Sequence, residues 1–300
     1  MASRKTGYSI PISPVVRRYI DKYPELMEQK NIYVLKLGGS IITDKKSNTP
    51  RFRKKEVERM AKEIKSFYNP DKNRLLIVHG AGSFGHPIVD RSGIDDGIRR
   101  EDQLSYFSET QEQVTYLNYL ISQTLRLGGI QSFPYQVSSA KLRDGEIKNL
   151  STDNIELQLK MGMVPVLYGA PAVDVGTLCS ILSGDQLGPY MADAVGIKKI
   201  LYATDVDGVF DKNPKEFDDA KLLESIDRDY FLKLERDLLK GREIGVGESS
   251  YVDVTGGMIK KLEEAFHWTK NTEILIFNGT VPENIKRALS GERIGTLVKT

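Results

Sequence analysis

Cysteine, histidine, tryptophan and long apolar runs are all scarce in this chain. Of 300 residues one is cysteine, Cys179, so no intrachain disulfide can form, and a reducing compartment is the natural setting. No apolar stretch approaches the ~20 residues of a membrane span. Residues 1–31 are broken by charges and prolines and hold no signal-peptide core, so the chain reads as cytoplasmic. An excess of one charge is also missing. Lysine and arginine number 43 against 41 aspartates and glutamates, so the overall field calls for no nucleic acid or membrane partner. Any basic chemistry must be local. Internal repeats, low-complexity tracts and an obvious interdomain linker are absent as well.

What is present is a 40% apolar, globular composition with a regular rhythm. Residues 1–31 read as an extension, with Ser13-Pro14 as a helix start. From Ile32 onward short apolar runs alternate with amphipathic stretches, the pattern of a mostly parallel sheet covered by helices. The runs IYVLKLG, RLLIVHG, QSFPYQV, VPVLYG, KKILYATDV, EILIFNG and GTLVK are the expected strands. Val57, Met60, Ala61, Ile64 and Phe67 keep helical spacing, as do Leu104, Phe107, Val114, Leu117, Ile121 and Leu125 before Gly128-Gly129. Both sets read as core faces. One sheet spanning both halves is the expected architecture.

Glycines stand at the ends of these strands, where open α/β sheets collect ligands and backbone N–H groups can face an anion. In KLGGSIITDK, Gly38 and Gly39 allow close approach, Ser40 adds a hydroxyl, and Lys36 and Lys45 bracket the turn with positive charge. It reads as a phosphate cradle or a bend between solvated lysines, and it is not a Walker A motif. In HGAGSFGH, residues 79–86, the glycines satisfy G-x-G-x-x-G. A dinucleotide site needs a helix directly afterwards and an acidic residue closing the next strand. Pro87, further glycines and several charges follow instead, which weakens that reading. His86 ends the turn where it can donate to a phosphate oxygen, whereas His79, still in the strand, reads as structural. Three more turns repeat the theme: SGDQL with Asp185, ATDVDGVFDKNP with Asp205, Asp207 and Lys212, and DVTGGMIKK with Gly256, Lys260 and Lys261. Lysines in the first turns of a helix are unfavourable unless an anion sits at its N-terminus.

Together VLKLGGS, SGDQL, ATDVDGVFDKNP and DVTGGMIKK, in this order, resemble the amino acid kinase family from Ile32 to Thr300. Within it, ITDK and HGAGSFGH resemble the isopentenyl phosphate kinases, whose distinctive histidine falls at His86; fosfomycin resistance kinases share that motif. The resemblance implies an αβα sandwich with a mostly parallel central sheet. Residues 32–180 would hold the phosphate acceptor and residues 181–300 would hold ATP. The reaction implied is transfer from ATP to isopentenyl phosphate, with Mg2+ and a homodimer expected. By the same resemblance Lys36 and Lys260 would neutralise ATP phosphates, with Lys260 favoured over Lys261 by the gap after Gly256. Lys45 would stabilise the transferring phosphoryl group and Asp185 would orient the lysines. Gly38, Gly39, Ser40, Ser83 and Gly256 would contact ATP phosphates, with Asp205, Asp207 and Lys212 beside the nucleotide. Gly82, His86 and Gly184 would hold the acceptor phosphate. No dedicated metal ligands are expected. Such chemistry suits the residue types: a phosphate nucleophile is already ionised, so positioning and charge neutralisation matter more than a strong base. Residues 1–31 lie outside the family pattern, and residues 87–180 match no motif for the acceptor's organic part. A kinase for another small phosphate or phosphonate, or a catalytically silent sensor, are the alternatives.

Overall fold

The structure, a computed structural model, describes residues 31–44, 47, 49–212, 217–243 and 256–300, together with Pro14. The expected extension and Lys45 therefore fall outside the described residues, apart from Pro14 and Asn31.

Each apolar run read as a strand forms one. They are β1 (Asn31–Leu37), β2 (Asn73–His79), β3 (Ser132–Pro134), β6 (Val164–Tyr168), β9 (Lys199–Thr204), β11 (Glu273–Asn278) and β12 (Thr296–Lys299). With the short β10 (Ser225–Ile226) they make one eight-stranded sheet in the order β10-β12-β11-β9-β1-β2-β6-β3. Only the β11–β12 pairing is antiparallel. Because side chains alternate across a strand, β1 and β2 feed two cores. Val34, Leu76 and Val78 pack on one face with α6 (Gly184–Val195) and α8 (Gly256–Trp268), through Leu187, Met191, Leu262 and Phe266. Leu35, Leu37, Leu75 and Ile77 pack on the other with α2 (Lys54–Phe67) and α4 (Gln103–Leu127), through Val57, Met60, Ile64, Leu117 and Ile121. The result is the expected three-layer αβα arrangement. Leu104 departs from its expected core role: it sits in the first turn of α4 and is 54% exposed.

Two features differ from the sequence reading. A helix does follow the HGAGSFG turn at once, α3 (His86–Ser92), with Pro87 in its first turn, where a missing N–H costs nothing. Gly93, at φ 67°, ends it after seven residues. The second requirement of a dinucleotide site still fails, since β3 closes at Pro134 and runs into Tyr135 and Gln136. The other feature is a second sheet, β5-β4-β7-β8, from β4 (Lys141–Arg143), β5 (Glu146–Asn149), β7 (Ala170–Asp174) and β8 (Leu178–Leu182). Its strands are too short to show a period, but Asp144-Gly145 is a hairpin signal in the sequence, and both residues take positive φ in the β4–β5 turn. Buried Asp174 ties this sheet together, accepting from the N–H groups of Gly145 at 2.8 Å and Gly176 at 2.7 Å and from Ser180 Oγ at 2.8 Å. The β7–β8 turn reaches the main body through Ile98 N, which donates to Thr177 O at 3.0 Å. Among the described residues no helix is long and apolar enough to cross a membrane.

Candidate active site

The carboxyl ends of β1, β2, β6 and β9 converge on a cleft of about 580 Å³. At its floor two glycine turns touch. A Cβ on Gly39 would lie 2.7 Å from Gly82 N, and one on Gly80 would lie 2.9 Å from Gly39 N. Side chains at these positions would force the turns apart, so the glycines are fixed by close backbone approach. Gly82, at φ 51°, also takes the left-handed conformation that glycine adopts freely.

The cationic end of the cleft is organised by Asp185 in the first turn of α6, whose N-cap Ser183 accepts from Asp185 N at 3.1 Å. Lys36 Nζ, from the buried end of β1, donates to Asp185 Oδ1 at 2.5 Å, and Lys261 Nζ, from α8, stands 3.4 Å from Oδ2. Burial works against the Asp185 carboxylate, but the charges of Lys36 and Lys261 outweigh it and hold the carboxyl below its ordinary value. Lys36 Nζ lies 5.6 Å from the centre of the buried Tyr202 ring, and Tyr202 OH donates to Asp185 O at 3.3 Å. Lys261 also donates to Gly257 O at 2.9 Å. Lys260 lines the cleft from the exposed side of α8. The spacing argument favoured Lys260; the turn of α8 carries Lys261 onto Asp185. That pairing required knowing where Asp185 lies relative to the helix.

Gly38, Gly39, Ser40, Gly184 and Asp205 also line the cleft, and Ser40 Oγ donates to Asp205 Oδ1 at 2.8 Å. His86, exposed at the start of α3, faces the same space from the second glycine turn. Other expected site residues stand behind or beside the cleft surface. Ser83 is buried behind the turn, accepting from Arg51 N at 3.1 Å and donating its own N–H to Thr43 Oγ1 at 3.0 Å. Gly82 shapes the floor through its contacts with Gly39. Gly256 opens α8, with the neighbouring Gly257 and Met258 reaching the cleft wall. Asp207 accepts from Asn278 Nδ2 at 2.9 Å, and Lys212 pairs with Asp219 over the Phe217 ring. His79 is buried, as its place in the strand suggests.

Beyond His86 the wall is mixed, with aliphatic side chains standing beside the carboxylates of Asp90 and Asp95. Val89 of α3 and Ile181 of β8 face the cleft, and behind them Ile94 and Cys179 are fully buried with Ile98, Tyr106 and Phe107 packed around them. Burial, with Asp174 and Asp95 nearby, pushes the Cys179 thiol up to about 11, so it behaves as an apolar filler at neutral pH. These contacts carried no sequence signal, because they come from a seven-residue helix and the short strands of the second sheet. Among the described residues no three His, Cys, Asp or Glu side chains gather as a metal site.

Geometry of this kind has known counterparts. A profile of the amino acid kinase family matches residues 31–278. The chain is 37% identical over 269 residues to the isopentenyl phosphate kinase of Methanothermobacter thermautotrophicus, covering 87% of this chain and 96% of that protein. It is 33% identical to the isopentenyl phosphate kinase of Arabidopsis thaliana, over 73% of this chain and 68% of the relative. An X-ray structure of an isopentenyl phosphate kinase superposes with a TM-score of 0.75 at 33% identity, covering 90% of this chain and all of that one. Family profile, sequence identity and overall fold therefore agree, and the chain belongs to the amino acid kinase family.

Proposed function

We propose that this protein transfers the γ-phosphoryl group of ATP to isopentenyl phosphate, giving isopentenyl diphosphate and ADP. The observation that carries this reading is a single cleft with two unlike ends: Lys36, Asp185 and Lys261 at one, and at the other His86 beside the aliphatic Val89 and Ile181, with the carboxylates of Asp90 and Asp95 at the same end. A phosphate on a short hydrocarbon chain matches the second end, and a nucleotide triphosphate tail matches the first. A polar phosphonate would leave Val89 and Ile181 without an apolar partner. The relatives named isopentenyl phosphate kinase supply the same substrate.

In the transfer, a phosphate oxygen of the acceptor forms a bond to the γ-phosphorus while the bond to the β–γ bridging oxygen breaks and ADP departs. Lys36 and Lys261 neutralise the nucleotide phosphates, and Asp185 holds both ammonium groups without itself accepting a proton. His86 donates to the acceptor phosphate. Lys260, at the rim, and Lys45, which follows the first turn in sequence, add charge to the transferring group. Mg2+ arriving with ATP would add its charge to that of Lys36 and Lys261 in neutralising the nucleotide phosphates, with the Asp205 carboxylate at the same side of the cleft available to it. Asp205 and Ser40 lie at the nucleotide side; in this reading residues 32–180 supply most of the acceptor end and residues 181–300 most of the nucleotide end, with Lys36 and Ser40 reaching across to the nucleotide and Ile181 to the acceptor. We assign the exposed, stacked Tyr116 and Tyr119 of α4, with ring centroids 6.5 Å apart, to a homodimer contact.

The test is ADP release with Mg-ATP and three parallel acceptors: isopentenyl phosphate, dimethylallyl phosphate and fosfomycin. A kcat/KM for isopentenyl phosphate well above that for fosfomycin is the expected result. The reverse order would assign the cleft to a phosphonate.

A further inference from the structure

His79 closes β2 one residue before the glycine turn and is fully buried. Its ring stacks on Tyr168 of β6, with centroids 5.7 Å apart and planes 14° from parallel. Nδ1 lies 3.0 Å from Gly80 O, and Nε2 lies 3.1 Å from the side-chain amide of Asn118 on α4. A carbonyl can only accept, so Nδ1 carries the proton and donates to Gly80 O. The oxygen Oδ1 of Asn118 is the atom placed against Nε2; a neutral ring protonated at Nδ1 can only accept there, so the isosteric amide is assigned in its flipped form, with NH2 facing the ring. Burial, against the hydrogen bond to the Gly80 carbonyl, pushes the His79 pKa down to about 4, consistent with a neutral imidazole. Gly80 is gripped on its other side too, donating to Leu37 O of β1 at 3.1 Å.

The Gly80–Ala81 peptide is planar and trans, so its carbonyl and its N–H point in opposite directions. With Gly80 O turned onto a buried ring, the Ala81 N–H turns the other way, and Gly80 and Ala81 both line the cleft. We propose that His79 is a positioning residue: by holding the Gly80 carbonyl it aims the Ala81 N–H into the cleft as a donor to the acceptor's phosphate oxygens. The opposite peptide orientation would set a carbonyl lone pair against that anion. An aliphatic residue could fill the same space in β2 but could not fix the peptide. Thus the two histidines that bracket the turn divide the work: His86 meets the phosphate with its side chain, and His79 acts on it through the backbone. This rests on reading the cleft as a phosphate-acceptor site.

His79→Leu keeps an apolar volume and removes the donor; His79→Asn loses the ring but keeps an amide N–H near the Nδ1 position. With isopentenyl phosphate as the varied substrate, His79→Leu is expected to lose about 10- to 100-fold in kcat/KM, with the KM for ATP within about twofold of the parent. His79→Asn should recover most of that loss although it packs worse. A packing role alone gives the opposite order, with Leu active and Asn impaired, and overturns the proposal. The second measurement does not depend on turnover. In protein labelled with 15N-alanine, inorganic phosphate should move the Ala81 amide proton downfield in the parent and in His79→Asn, but not in His79→Leu. An Ala81 amide that ignores phosphate in the parent overturns the positioning role. A parent that shows the shift but fails to phosphorylate isopentenyl phosphate overturns the substrate assignment alone.

Discussion

At one end of the cleft Lys36 and Lys261 close on the two oxygens of Asp185; at the other, Val89 and Ile181 face the same space with Ile94 and Cys179 packed solidly behind them. The first end is mounted on the central strand β1 and two long helices. The second is mounted on α3 and on the small sheet pinned by Asp174. Phosphoryl transfer needs the same neutralised charges whatever the acceptor, so under the proposed function the main sheet would carry the chemistry. Choice of acceptor is a matter of shape and polarity, and short peripheral elements can change it without disturbing β1.

The largest break in this comparison comes from Asp185→Ala. It leaves two ammonium groups side by side without their shared counter-charge, and kcat should fall about 10²- to 10³-fold, as when a preorganised electrostatic contact is lost. Acceptor KM should move little. An ADP-release assay that finds kcat within a few-fold of the parent would remove Asp185 from its organising role. His86→Ala acts on the junction between the ends. It should cost about 10- to 100-fold in kcat/KM for the phosphate acceptor, the worth of a charge-assisted hydrogen bond, with ATP binding unchanged. An equal rise in the KM for ATP would instead place His86 on the nucleotide. Ile181→Thr touches only the end that holds His86 and Val89. Replacing an ethyl group by a hydroxyl beside a hydrocarbon tail should lower kcat/KM for isopentenyl phosphate about 5- to 30-fold while leaving fosfomycin turnover nearly constant. Parallel losses on both acceptors would show that Ile181 does not face the tail.

The same division explains what could be read from the sequence. Fully buried strands such as RLLIVH announce themselves as continuous apolar runs, and the lysines, glycines and Asp185 sit at their ends, where chemistry and chain geometry coincide. The helix of Val57, Met60, Ala61 and Ile64 was equally plain from its spacing. By contrast β4 has three residues and β5 four, too few to reveal a period, and Val89 and Ile181 look like any other aliphatic side chains. Lys261 was visible but not separable from Lys260, since the choice depends on how α8 is rotated toward α6. Ser83 stands among cleft-forming glycines and yet points away, its hydroxyl taken by Arg51 N. Position along the chain marks a turn as functional without saying which atoms face the ligand.

The smallest effect expected at neutral pH, and the one that separates the regions by stability instead of activity, appears on acidification. Burial holds His79 at about 4 in the fold against an ordinary 6.5, so the unfolded chain binds its proton first. The stability linked to neutral His79 is complete above pH 6.5 and is lost as the pH falls from there toward 4. Asp174 and Asp185 behave differently. Burial alone would raise both carboxyls, but N–H and hydroxyl donors around Asp174 and lysines around Asp185 hold them below the ordinary 3.8. Their contribution is present above that value and is lost only as the pH falls below it. Urea midpoints measured from pH 8 to pH 3 should therefore fall in two windows. His79→Asn should flatten the upper window and leave the lower one, and Asp174→Asn should flatten the lower one. A midpoint that stays constant between pH 6.5 and 4.5 in the parent would mean that the His79 ring is not buried in its neutral form, and with it would go the fixed peptide at the acceptor end of the cleft.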